Sequence, residues 1–143
     1  MLVSTKGRYA LRVMIDLAEH QADGLIPLKI IAQRQEISEK YLENIIKLLV
    51  KAKLLTGVRG KGGGYQLAKA PEQYTVEKIL RVTEDSMAPV SCLDSGADVC
   101  PRSAECRTLP MWRKLDRLIT EYFESITLAD LMRTDSDRYD YVI

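Results

Sequence analysis

Apolar residues in the first third of the chain recur at three- and four-residue steps. Tyr9, Ala10, Val13, Met14 and Leu17 fall on one face of a helix expected from about Thr5 to Gln21. Ser4 or Thr5 is placed to cap it, and Ala22-Asp23-Gly24 supplies its stop. A second, shorter helix is expected from Pro27, whose fixed φ suits a first helical position, to near Gln35, burying Leu28, Ile31 and Ala32. Ser38 then caps a third helix. Its apolar stripe is Tyr41, Leu42, Ile45, Leu48, Leu49 and Ala52, and its other face carries Glu39, Lys40, Glu43, Asn44, Lys47 and Lys51. Residues 54–67 hold two short β-type runs around the tip Gly60-Lys61-Gly62-Gly63-Gly64, which reads as a hairpin with a flexible loop. Three helices followed by a hairpin outline a winged helix-turn-helix.

Beyond the hairpin, Thr75 can cap a helix through about Thr83 that turns Val76, Ile79, Leu80 and Val82 to the core. From residue 85 to 109 the periodicity disappears, and Pro89, Pro101, Gly96 and all three cysteines collect there. So long an irregular stretch in a compact domain is more often functional than idle. A long helix is expected from near Pro110 to Glu124. Trp112, Leu115, Ile119, Tyr122 and Ile126 alternate steps of three and four along it, the spacing of a helix-pairing seam. Thr127 and Asp130 match a capping box, with Ile126 and Leu131 placed as a hydrophobic staple, so one more short helix follows. The segment Tyr139 to Ile143 has no assignment.

Charge changes this picture. The 143 residues contain 21 Lys/Arg and 20 Asp/Glu, a net of +1 that gives no hint of a polyanionic partner. Divided after Lys69, the first part carries 12 basic and 6 acidic residues, a net of +6, and the remainder carries 9 and 14, a net of −5. That asymmetry points to an anion-binding module joined to a part that avoids the anion. The organisation expected is mainly α with a small β-hairpin: a winged helix-turn-helix DNA-binding domain over residues 1–84, a cysteine-bearing loop over 85–109, and a dimerisation helix with a tail over 110–143. No apolar run approaches the roughly 20 residues that cross a bilayer, and the N-terminus lacks a signal-peptide pattern, so a cytoplasmic location is expected.

His20 is the only histidine, which excludes multi-histidine metal sites, and no pattern pairs a cysteine with a histidine, so an enzyme is not expected. The glycine run is not a phosphate-binding P-loop, because no Ser/Thr follows a Gly-Lys pair, and Tyr65 stands where G-x-G-x-x-G would need glycine. As a wing it makes better sense: glycines let Gly60 and its neighbours approach a phosphate or the minor groove while Arg59 and Lys61 supply charge. If the third helix enters a major groove, Ser38, Lys40, Tyr41, Glu43 and Asn44 near its start face base edges. Lys40 and Asn44 can donate to purine acceptors. Glu43 can only accept, which makes it either a solvated surface group or an element that penalises wrong sites. Lys6, Arg8, Lys47 and Lys51 are candidates for phosphate contacts.

The cysteines stand as Cys92-x7-Cys100-x5-Cys106. Three thiols in a bendable segment can converge on an iron–sulfur cluster or on zinc, and both centres want four ligands. Arg102, Arg107, Arg113 and Lys114 stand near to offset thiolate charge. Three unrelated cysteines remain the alternative.

Residues 4–10 (Ser-Thr-Lys-Gly-Arg-Tyr-Ala), Ile37-Ser38 with Tyr41-Leu42-Glu43, the segment Val58 to Tyr65, and the cysteine triplet before Trp112 together resemble the Rrf-type winged-helix transcription regulators, most of all their iron–sulfur cluster regulators. The resemblance covers the chain to about Leu131. It implies a homodimer built on the helix carrying Trp112, Leu115, Ile119 and Tyr122, which binds pseudo-palindromic promoter DNA, mainly as a repressor. It also implies a [2Fe-2S] cluster on Cys92, Cys100 and Cys106 that tunes promoter choice, with cluster-biogenesis genes as targets. Glu43 matches a selectivity element and Arg59 a minor-groove wing contact. Four departures stand out. Leu109 occupies the usual place of the histidine ligand, the first two cysteines are further apart than is common, Glu36 replaces a turn glycine, and Arg8 stands where nitric-oxide-sensing relatives have an acidic ligand. Asp94, Asp98, Glu105, His20 and Glu43 remain as fourth-ligand candidates. Family members of another kind regulate cysteine metabolism under control of a partner protein, or sense nitric oxide or redox state.

Overall fold

The structure is a computed structural model, and it describes residues 3–132. Helix α1 (Thr5–Glu19) starts where Ser4 caps it, the Ser4 hydroxyl accepting the Gly7 N–H. It ends two residues before the spacing predicts, because Gln21–Asp23 tightens into a single 3-10 turn that closes at Gly24. Helix α2 (Leu28–Gln35) begins one residue after Pro27, which serves as its N-cap. Helix α3 (Glu39–Lys51) is capped by Ser38, whose hydroxyl accepts the Tyr41 N–H. The hairpin follows as β1 (Leu55–Val58) and β2 (Gly64–Leu67), antiparallel with Leu55 opposite Leu67 and Val58 opposite Gly64. Gly64 therefore opens a strand instead of closing the tip. A β-carbon there would lie 2.5 Å from the Ile26 carbonyl oxygen. Such a close approach is what lets Ile26 and Tyr65 exchange two backbone hydrogen bonds, at 2.9 and 2.8 Å, and tie the wing to the start of α2.

Helix α4 (Val76–Thr83), capped by Thr75 as expected, crosses α1, and α5 (Leu109–Glu124) packs on α4. Helix α6 (Leu128–Leu131) carries the complete Thr127–Asp130 capping box. It is tied down by the Val76 N–H to the Ile126 carbonyl and the Leu128 N–H to the Tyr74 carbonyl, both 2.9 Å, so that Leu128 is fully buried although Leu131 stays exposed.

One core joins Ala10, Val13, Met14 and Leu17 of α1 to Ile31 and Ala32 of α2, Leu42, Ile45, Ile46 and Leu49 of α3, Leu55 of the wing, Ile79 of α4 and Leu128. Each of the larger side chains stabilises the fold by roughly 1.5–3 kcal/mol on burial. Five positions depart from the predicted stripes. Ile46 is buried, because α3 packs the wing as well as α1, whereas Ala52 is exposed as the C-cap and Leu48 is only half-buried. Leu28 and Val82 are likewise half-buried. Tyr74 is a core residue outside any regular periodicity: its hydroxyl donates to the Leu54 carbonyl at 2.7 Å and accepts the Lys69 N–H at 2.9 Å. Burial pushes its phenol pKa up. The buried Asp16 carboxylate accepts a fork from Arg34 at 2.7 and 3.1 Å and the Gln35 amide at 2.8 Å, which fastens α2 to α1 without leaving a buried charge unpaired. Glu36 sits at the C-cap of α2 with φ 54°, the left-handed conformation for which the turn favours glycine.

Helix α5 buries Leu109 alone; Met111, Leu115, Leu118 and Tyr122 are exposed along it. Among the described residues no helix is long and apolar enough to cross a membrane.

Candidate nucleic-acid interface and cysteine loop

Two elements build one basic groove. Helix α3, about 20 Å long at 1.5 Å per residue, is short enough to lie in a DNA major groove. Its buried stripe turns Lys40, Glu43, Asn44 and Lys47 to solvent. The hairpin rises beside it, and between them lies a groove of about 680 Å³ lined by Glu43, Lys47, Lys51, Arg59 and Gly60 over a floor of Ile46 and Val50. Glu43 is not free on this face: its carboxylate pairs with Lys47 at 3.4 Å, both groups being well exposed. Arg59, Gly60 and Lys61 stand exposed at the tip. Gly63 is forced by sterics, since a β-carbon would meet the Val58 carbonyl oxygen at 2.1 Å. Only a glycine allows the tip to fold so tightly back on its own strand.

The start of α3 is oriented from below. Tyr41 is half-buried and meets Tyr9 of α1 edge-to-face at 5.8 Å between centroids, and the Arg12 guanidinium lies 5.0 Å over the Tyr9 ring. Arg12 also donates to the Gln35 side chain at 3.2 Å and to the Gln35 carbonyl at the end of α2. Ser38 is engaged as the cap of α3, and Lys6 and Arg8 sit on the first turn of α1, Arg8 donating to the Thr5 hydroxyl at 3.2 Å. Sequence reasoning found these residues but missed Arg12, although its place three residues after Tyr9 on one helix face was available as a signal.

The cysteine segment is organised differently. Cys92 and Cys100 are exposed, Cys106 is half-buried, and none is in a disulfide. Among the described residues no three His, Cys, Asp or Glu side chains come together as a metal-holding group, so the structure does not gather the three thiols. Cys106 is the one with a defined setting. Its Sγ lies 3.4 Å from the Thr108 hydroxyl, and that hydroxyl, helped by the Thr108 and Leu109 N–H groups opening α5 and by Arg102, holds the thiol below its ordinary pKa. Leu109, at the place of the usual histidine, is buried and apolar. Among the remaining fourth-ligand candidates, Asp94 accepts the Ser86 hydroxyl, Glu43 pairs with Lys47, and the His20 ring Nδ1 is 2.7 Å from the Asp16 carbonyl. Asp98 and Glu105 are exposed.

A winged helix with a basic groove, followed by a three-cysteine loop, can be placed among known proteins. The sequence matches the pattern of the Rrf2 family, described as iron-dependent transcriptional regulators, over residues 3–134. The chain belongs to this family. It is 37% identical to the HTH-type transcriptional regulator IscR of Aliivibrio salmonicida, an alignment covering 92% of this chain and 77% of that protein. Among solved structures it is similar to T. potens IscR (TM-score 0.71, 39% identity, 97% of both chains). It is also similar to CymR, the global cysteine regulator of B. subtilis (TM-score 0.74, 35% identity, 92% of this chain and 95% of that one). The Rrf2 chain is thus a winged-helix transcription regulator, and the relatives are named as regulators rather than enzymes.

Proposed function

We propose that this Rrf2-family regulator is a homodimer that binds pseudo-palindromic promoter DNA, mainly as a repressor, under the control of an iron–sulfur cluster. The observation that carries the DNA part is the groove between α3 and the wing. Glu43, Lys47, Arg59 and Gly60 line it, and Lys40, Asn44 and Lys61 are exposed on the same two elements; in this reading Lys40, Tyr41, Glu43 and Asn44 meet base edges, Arg59 and the glycine tip enter the minor groove, and Lys47 and Lys61 meet phosphates. In this reading residues 1–84 bind DNA, residues 85–109 sense, and α5 pairs two chains. Exposed Leu115, Leu118 and Tyr122, with half-buried Trp112 and Ile119, make one side of α5 more apolar than a lone chain tolerates well, and a second copy covers it most simply. Two chains place an excess of about +12 on one face, suited to strong salt-dependent binding.

For the cofactor, the donors fit in kind: three accessible or half-buried thiols, one already biased toward thiolate, in chain that can bend. Cys92, Cys100 and Cys106 would hold it, and Arg102 would offset its charge. Such a cluster, [2Fe-2S] in this reading, supplies sensitivity to iron and oxidants. Its fourth ligand does not come from Leu109.

A second reading is favoured by that buried leucine together with the likeness to CymR: a regulator in the cysteine-regulator branch whose input is a partner protein. The tail Tyr139 to Ile143, a candidate docking segment, lies outside the described residues. Two measurements test these readings. Titration of full-length protein into promoter duplexes at several salt concentrations should give a steep salt slope, and binding without one sinks the DNA interface. Anaerobic purification with absorption and Mössbauer spectroscopy should show a cluster that is lost in Cys92→Ala. Colourless protein with unchanged DNA binding in Cys92→Ala moves the assignment to the partner-controlled branch.

A further inference from the structure

One contact in the winged-helix unit joins its two ends and has no role in the groove. Glu84 is the C-cap of α4, and its Oε1 accepts both the backbone N–H of Ser4 at 3.1 Å and the Ser4 hydroxyl at 2.7 Å. The Ser4 hydroxyl oxygen in turn accepts the Gly7 N–H at 3.0 Å. A carboxylate eighty residues away thus closes the start of α1, where unpaired N–H groups and the positive end of the helix dipole favour a negative group. Gly7 is buried, and a β-carbon there would fall 2.1 Å from the Glu84 Oε1 and 3.2 Å from Leu80 Cδ2. Glycine inside a helix costs up to about 1 kcal/mol, so its presence at this position marks the close approach of Glu84 as the feature that requires it. Lys6 and Arg8 flank Gly7 directly, on the turn that Glu84 holds. Glu84 is also the residue immediately before the cysteine-bearing segment.

We propose that Glu84 is a positioning residue for DNA binding: it clamps the first turn of α1 to the end of α4 and so presents Lys6 and Arg8 to the phosphate backbone. This rests on the DNA reading above. Glu84 touches no DNA itself; it acts through Ser4. Because phosphate contacts set the salt dependence, releasing the turn lowers the slope as well as the affinity, by up to about 1.8 per protomer if both cations disengage. A carboxylate that merely stabilised the fold would lower the melting temperature and leave the slope of the folded protein unchanged.

The test is fluorescence anisotropy of full-length protein on a random-sequence duplex at four or more salt concentrations, with melting temperatures measured alongside. Glu84→Ala should weaken binding about tenfold and flatten the slope, and Gly7→Ala should do the same by displacing the carboxylate. Glu84→Gln, which still accepts from Ser4 through its amide oxygen, should recover most of the wild-type slope. In a Lys6→Ala/Arg8→Ala background, Glu84→Ala should change the slope no further. A wild-type slope in Glu84→Ala, or in Ser4→Ala should Glu84→Ala fail to fold, overturns the proposal. So does an additional loss of slope in the background lacking both cations. If wild-type protein itself binds without salt dependence, the DNA reading is what fails.

Discussion

Helices α3 and α5 are similar in length, 13 and 16 residues, and both are amphipathic, yet α3 buries Leu42, Ile45, Ile46 and Leu49 within its own chain while α5 buries Leu109 alone. The same kind of apolar stripe is covered in one case by α1, α4 and the wing, whereas in the other α5 packs on α4 yet, among the described residues, leaves Leu115, Leu118 and Tyr122 exposed. A helix held by its own core can offer its polar face to a ligand in a fixed orientation, which is what reading base edges demands. A helix whose stripe is left open has its geometry completed by whatever covers it. Between them, the cysteine segment has a single 3-10 turn at Ser91–Leu93 and buries no side chain from residue 85 to 108, so no core of its own fixes where its thiols stand.

That contrast breaks most severely at Leu42. Leu42→Ala removes a fully buried side chain where α3 meets α1 and should cost about 3 kcal/mol, within a range of about 2–5, in urea unfolding followed by circular dichroism. The loss should be the same at every protein concentration. Substitution on α5 should behave otherwise. Leu118 is half exposed, so Leu118→Glu should leave the helical signal of the isolated chain intact, shift sedimentation equilibrium toward monomer, and weaken binding to a two-half-site duplex by at least about tenfold. A Leu118→Glu protein that unfolds like Leu42→Ala, or that remains a full-affinity dimer, would abolish the distinction between the two helices.

What was legible in the sequence follows the same division. The starts of α1, α3 and α4 could be read because caps such as Ser4, Ser38 and Thr75 and the buried stripes are local signals, each spanning a turn or two. Ile46 and Ala52 were exchanged because a helical period identifies a face but not which edge of that face a third element will cover. Tyr74 was missed since it lies just past a single 3-10 turn, where no period operates. In the cysteine loop the donor types were plain, but nothing local fixes how Cys92, Cys100 and Cys106 are disposed in space, and the structure leaves them apart. Glu84 was invisible for the opposite reason: its partner Ser4 is fixed by tertiary packing eighty residues distant.

The smallest expected effect lies in the turn between α2 and α3, on the side of the molecule whose conformation is set by its own chain. Glu36 has φ 54° and ψ 45°, and its backbone N–H bonds back to Ala32 and Gln33, so the conformation is imposed by the C-cap and not by the exposed side chain. A non-glycine residue in this region is strained by about 1–2 kcal/mol, and glycine returns about 0.5–1 kcal/mol of that through the greater freedom of the unfolded chain. Glu36→Gly should therefore raise stability by up to about 1 kcal/mol, seen as an increase of roughly 2–4 °C in melting temperature. Lys53, at φ 63° beyond the end of α3, provides an internal comparison, and Lys53→Gly should shift the transition in the same direction. Stabilisation at both positions with unchanged DNA affinity means that the turns only have to be formed, and α3 is oriented by its core. A gain in stability with weakened binding at Glu36→Gly alone would mean instead that rigidity of the α2–α3 turn contributes to holding α3 in the groove.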